Sequence, residues 1–113
     1  MGALAATTPS RTGAASAGAA VAASDTISAA VLGIHGAILE ILNGGGSVDN
    51  MTISDSGTTP AGTSPGTYAA SVTNGTNKVF YISPKQLDPV TGLVTITHSF
   101  TTSVTYKLYP AIP

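Results

Sequence analysis

The chain has 113 residues, enough for one small domain, and only 8% of them are charged, against about 25% in an average globular protein. A formal net charge of -1 supplies no long-range attraction for nucleic acid or for an anionic membrane. The absence of cysteine excludes a disulfide framework and thiolate chemistry.

The 42% hydrophobic content overstates the core, because 17 of those residues are alanine and 12 of the 17 fall within the first 30 positions. Residues 1–24 mix Ala, Thr, Gly and Ser, and Thr7, Thr8, Pro9, Gly13 and Gly18 interrupt any Ala-rich helix. The composition predicts an extended, poorly anchored N-terminal arm over 1–24 that orders on a partner, attached to a folded domain over 25–113. The stretch "AASAGAAVAASD" (14–25) imitates a secretory signal, but Ala and a single Val make a weak apolar segment, so it is read as arm. No run approaches the ~20 apolar residues that span a bilayer.

In "TISAAVLGIHGAILEILN" helix and strand signals compete. Gly33 and Gly36 count against a helix, whereas "ILEIL" predicts a strand over 37–43 with Leu39 and Ile41 on one face and Ile38, Glu40 and Leu42 on the other. Further strands are expected at 50–55 (Met51 and Ile53 inward), 67–72 (Tyr68, Ala70, Val72) and 78–83. Adjacent Phe80 and Tyr81 must point to opposite faces of that strand, one into the core and one outward. The segment 84–92, "PKQLDPVTG", reads as a kinked connection with a helical turn at most. Strands at 93–98 (Val94, Ile96, His98) and 103–109 (Val104, Tyr106, Leu108) complete the pattern. About six to seven short strands between Gly, Pro, Asn and Ser turns predict an all-β fold, a small β-sandwich or barrel-like domain.

Candidate chemistry is sparse. Gly44, Gly45 and Gly46 invite comparison with a phosphate-binding loop, but such a loop opens a helix and carries a Lys-Ser/Thr pair. Here no Lys follows and the glycines run into a strand, so they are read as a hairpin turn. Asn74-Gly75 marks a second turn, and "SGTTPAGTSPG" (56–66) a surface excursion. His98 continues the apolar face of its strand and is expected to be packed; His35 has no partner at ligand spacing. The carboxylates are scattered, with Glu40 and Asp49 facing each other passively across the glycine turn. No Gly-x-Ser-x-Gly elbow and no Ser/His/Asp arrangement stands out. The expectation is a non-enzymatic protein without catalytic residues, cofactor or metal. The Asn-x-Thr patterns at 50 and 74 are chance matches in a chain with 17 Thr and 12 Ser.

The order of segments carries a resemblance. An Ala/Thr/Pro-rich start leads to "SDTI", an apolar strand ends in "LNGGGS", "TISD" follows, then "KVFYISPKQLDPVTGLVTITHS" and a terminal "SVTYKLYP". Over about 25–109 this resembles the head decoration or minor capsid proteins of tailed bacteriophages, with Pro84, Leu87, Asp88, Gly92, Val94 and Ile96 carrying the second half. It departs at Phe80-Tyr81, where many such proteins have Gly-Pro. The resemblance implies a virion protein on the capsid exterior: a β-sandwich that reinforces contacts between major capsid subunits and self-associates, a trimer being favoured. Neither nucleic acid nor membrane is expected as a partner. Thr8, Pro9 and Arg11, in an arm lying across the capsid, are the expected contact residues. Other readings of the same composition are a head–tail joining or tail protein, and a secreted carbohydrate-binding β module, against which the missing Trp and the weak signal count.

Overall fold

In the computed structural model, which describes residues 2–15, 18–56 and 66–111, nine strands form two packed sheets. In chain order they are β1 (Gly2–Ala3), β2 (Ala19–Ala20), β3 (Ser24–Ser28), β4 (Ala37–Asn43), β5 (Asp49–Ile53), β6 (Tyr68–Val72), β7 (Thr76–Ile82), β8 (Leu93–His98) and β9 (Val104–Pro110). Sheet A runs β1-β3-β8-β5-β6 and sheet B runs β2-β9-β4-β7. Every pairing is antiparallel except β1 on β3. The protein is a small all-β sandwich.

Alternation decides which side chains fill it. Ile27, Ile53, Val72, Val94 and Ile96 from sheet A meet Leu39, Ile41, Ile82, Val104 and Leu108 from sheet B, all buried. Each contributes roughly 1.5–3 kcal/mol by leaving water. The faces expected for β4, β5, β8 and β9 are the observed ones, and Phe80 packs against the core while Tyr81 points outward.

β3 has no counterpart in the sequence reading. In β3, Asp25, Thr26 and Ile27 are buried in succession: Asp25 and Ile27 share the inner face with Ile96 and Val94, and Thr26, on the outer face opposite Thr95, donates its hydroxyl to the Gly2 carbonyl of the arm. No apolar-polar alternation survives such two-sided burial. A single helical turn, α1 (Ala29–Leu32), follows, with the Ser28 hydroxyl accepting from the Val31 N–H as its cap.

The glycine turn is a corner rather than a hairpin. β4 lies in sheet B and β5 in sheet A, so the chain changes sheets there. The buried Asn43 side chain organises the corner, donating to the Ser47 and Val72 carbonyls and accepting from the Gly45 N–H. A Cβ on Gly45 would collide with the Phe100 ring and the Thr102 carbonyl, which requires glycine at that position. Asn74-Gly75 is likewise a corner, from β6 to β7, with Gly75 at φ 80° and its N–H bonded to the Asn43 carbonyl. Glu40 therefore faces outward on sheet B while Asp49 is buried on the inner face of sheet A, and the two do not meet.

The N-terminal segment, expected to be poorly anchored, is tied down at both ends. β1 pairs with β3, β2 pairs with β9, and Leu4 and Val21 are buried in the core. The Ala5 N–H donates to the Tyr106 hydroxyl and the Thr7 N–H to the Leu108 carbonyl. Two-residue strands with one apolar anchor each leave no periodic signal in the sequence. The surface excursion read at 56–66 falls largely on 57–65, outside the described residues.

Ile96→Ala, at the centre of the buried face of β8, is expected to cost about 2–5 kcal/mol. Thr105→Ala, on the outer face of β9, is expected to cost under about 1 kcal/mol. Urea unfolding monitored by circular dichroism measures both, and equal losses would mean the faces are exchanged. Trypsin should cut after the exposed Arg11 before it cuts at Lys78, Lys85 or Lys107, as mass spectrometry of a digestion time course would show.

Candidate functional site

Two places in the fold hold polar groups that the core does not account for. The first is internal. Asp25, His98 and Asp49 come from three neighbouring strands of sheet A, β3, β8 and β5. His98 lies opposite Met51, so Asp49 is its diagonal neighbour on one side, and Asp25, opposite Ile96, is its diagonal neighbour on the other. Diagonal pairs of this kind lie within reach of long side chains. All three share the inward face at one end of the sandwich.

The Nδ1 of His98 lies 2.6 Å from Oδ2 of Asp49, with the two side chains 1% and 0% exposed. With Asp49 as carboxylate, Nδ1–H donates to it. Oδ1 of Asp49 accepts from the backbone N–H groups of Ser99 (3.1 Å) and Phe100 (3.4 Å), so this carboxylate is fully engaged. On the other ring edge, Nε2 of His98 faces Oδ2 of Asp25 at 3.8 Å, beyond hydrogen-bond range, and has no hydrogen-bond partner. Oδ2 of Asp25 instead accepts from the Ala22 N–H (3.0 Å), and the His98 N–H donates to the Ala23 carbonyl (2.9 Å). The cluster thus fastens the return of the N-terminal segment into β3.

Chemically this cluster is sealed. Neither the imidazole nor the Asp49 carboxylate reaches solvent, and no hydroxyl bonds to Nε2. Among the described residues no group of three His, Cys, Asp or Glu is placed to hold a metal ion. His98 is packed, as its place on the apolar face of β8 predicts. The reading of the carboxylates as scattered does not hold for Asp25 and Asp49, which are 24 residues apart in sequence and converge through strand register. The glycine corner has no N–H groups to spare at its first two positions: Gly44 donates to the Ser103 carbonyl and Gly45 to the Asn43 side chain.

The second place is on the surface. Thr8, Pro9 and Arg11 are all exposed. The segment that holds them leaves the edge of β9 at Thr7, opposite Leu108, and returns to the same edge at Ala19, opposite Tyr106. A turn closed by the Gly13 N–H on the Ser10 carbonyl bends it between those points. The expected contact residues therefore sit on a loop clamped at both ends, not on a free tail. His35 is exposed in the loop after α1, where its carbonyl accepts from the Tyr81 hydroxyl (2.7 Å).

No protein-family model matches the chain, and no curated protein and no solved structure matches it. Among the described residues no helix is long and apolar enough to cross a membrane.

Truncating Asp49 would leave the buried His98 Nδ1–H and the Phe100 N–H without an acceptor, while the Ser99 N–H keeps the Asn50 carbonyl. Asp49→Ala is expected to cost about 3–5 kcal/mol, read as a fall in the urea midpoint at unchanged slope. Asp88→Ala, which loses a local bond to the Val90 N–H, is expected to cost about 1 kcal/mol or less.

Proposed function

We propose that the chain is a structural, non-catalytic virion protein. It acts as a capsid decoration (cement) protein that binds the outer surface of a phage head and stabilises contacts between major capsid subunits, with copies of itself as its other partner. The observation that carries this reading is the clamped loop bearing Thr8, Pro9 and Arg11, an exposed and nearly uncharged segment presented from the edge of β9. Such a segment offers backbone N–H and C=O groups to a strand edge of another protein. Its clamped ends and Pro9 reduce the conformational freedom lost on docking. Arg11, the only charged residue among the first 24, supplies one cation for a capsid carboxylate. The buried polar cluster supports the reading from the other direction, since it braces the loop's attachment and offers no substrate a path to the imidazole.

The test keeps β1 and β2 and replaces residues 8–15 by a Gly-Ser linker of equal length. On empty shells of the cognate major capsid protein, this variant should bind at least about tenfold more weakly while keeping the wild-type circular dichroism spectrum, because its several arms act together through effective concentration. Arg11→Ala alone should cost on the order of 1 kcal/mol per contact or less. Undiminished binding by the linker variant, measured by cosedimentation with the shells, would remove the loop from the interface, and a wild-type chain that does not cosediment with them would remove the function.

A further inference from the structure

Four strand edges end the two sheets, and the chain treats them unequally. The edge of β3 carries β1, and the edge of β9 carries β2 and Thr7. Among the described residues nothing pairs with the outer edges of β6 and β7, and β7 is the longer of the two, with seven residues against five. An open edge of that length is a template for a further strand.

Register settles which groups that edge presents. The Gly36 carbonyl accepts from the Ala111 N–H, so in β4 the even-numbered residues bond toward β9 and the odd-numbered toward β7. Odd β4 residues lie opposite even β7 residues, as Ile41 lies opposite Lys78. Asn77, Val79 and Tyr81 therefore turn their N–H and C=O groups away from the sheet. Their side chains lie on the outer face of sheet B, where Val79 is 62% and Tyr81 57% exposed and Ile38 adjoins them.

We infer that β7 pairs antiparallel with β7 of a second copy about a two-fold axis through Val79. In that register Asn77 meets the partner's Tyr81, Val79 meets the partner's Val79, and Tyr81 meets the partner's Asn77. All are positions with outward backbone groups, and each pair exchanges both of its hydrogen bonds. Charge selects the same register. Lys78 then lies opposite the partner's Phe80, an aromatic ring, whereas an axis through Lys78 would set two ammonium groups face to face. The two B sheets become one continuous sheet, and Val79, the most exposed apolar residue of β7, is covered by its own symmetry mate. This isologous contact closes on itself. A threefold ring built by strand addition needs β7 to add to a different edge; those of β3 and β9 are already occupied, and β6 offers five residues against the seven of β7. The pairing stands whether or not the chain binds a shell.

The test uses the full chain and sedimentation equilibrium. The wild type should have twice the 11.1 kDa mass of one chain. Val79→Lys and Val79→Glu, each exposed enough to leave the fold intact, put like charges on the axis and should raise the dissociation constant at least about tenfold. Mixing the two variants should restore a dimer, because Lys then faces Glu. Val90→Lys, at a 90% exposed loop position, should leave the dimer unchanged. A wild-type mass of one or three chains, a Val79→Lys variant that stays dimeric, or a mixture that stays monomeric would each overturn the inference.

Discussion

A carboxylate with no exposed surface, held against an imidazole equally removed from water, constrains this fold more tightly than any apolar contact in it. An apolar side chain displaced by a small shift loses part of its burial. A buried carboxylate displaced from its donors loses their compensation at once. Asp49 sits on β5 and His98 on β8, so their bond fixes the register between those strands. A slip of one residue in either strand would send its member of the pair to the outer face and draw Thr52 or Thr97 inward. Those two threonines instead pair with each other on the outer side, their hydroxyl groups bonded. The register is therefore specified from both faces.

The same constraint reaches the N-terminal segment. The Ala23 carbonyl takes the His98 N–H and Asp25 takes the Ala22 N–H, which sets the direction from which the chain enters β3. That entry fixes β2 on the edge of β9, with Val21 filling the gap between the sheets. β1 and Leu4 fill the corresponding gap beside β3. A segment too poor in large apolar residues to fold alone becomes a cover for one flank of the sandwich. Its middle, which has nothing left to cover, becomes the exposed loop.

What the residues disclosed in advance follows from how local each signal is. Alternation is written within a strand, so Leu39 and Ile41, Val94 and Ile96, and Val104 and Leu108 could be assigned to the inner face from neighbours alone. Convergence is written between strands. Nothing near His98 points to Asp49, 49 residues earlier, until the pairing of β5 with β8 is known. β3 was hidden because burial on both sides erases alternation, and β1 and β2 because two residues have no period. The glycine corner misled for a related reason. Gly44 to Gly46 announce a reversal, but whether the chain returns beside β4 or crosses to the other sheet depends on Asn43 and Phe100. The clamping of Thr8, Pro9 and Arg11 between two points on β9 was likewise invisible, since the anchoring partners lie near the other end of the chain.

Burial also redraws the surface. With Asp25 and Asp49 inside, the remaining charged side chains are Arg11, Lys78, Lys85 and Lys107 against Glu40, Asp55 and Asp88. Seven charges of nearly balanced sign over 6183 Å² of surface leave little repulsion to hold copies apart. In such a molecule, control over association passes from electrostatics to the strand edges. The chain spends its first 21 residues covering two of them, and on β7 a single inward-facing Lys78 discriminates between registers without blocking them all. The two-fold pairing inferred for that edge would give a closed pair instead of an unlimited fibre, because a two-fold contact uses up the surface that forms it. The loop of residues 8–15 projects from β9, with β4 between it and β7, so the self-pairing and the loop attachment proposed above would draw on separate parts of sheet B.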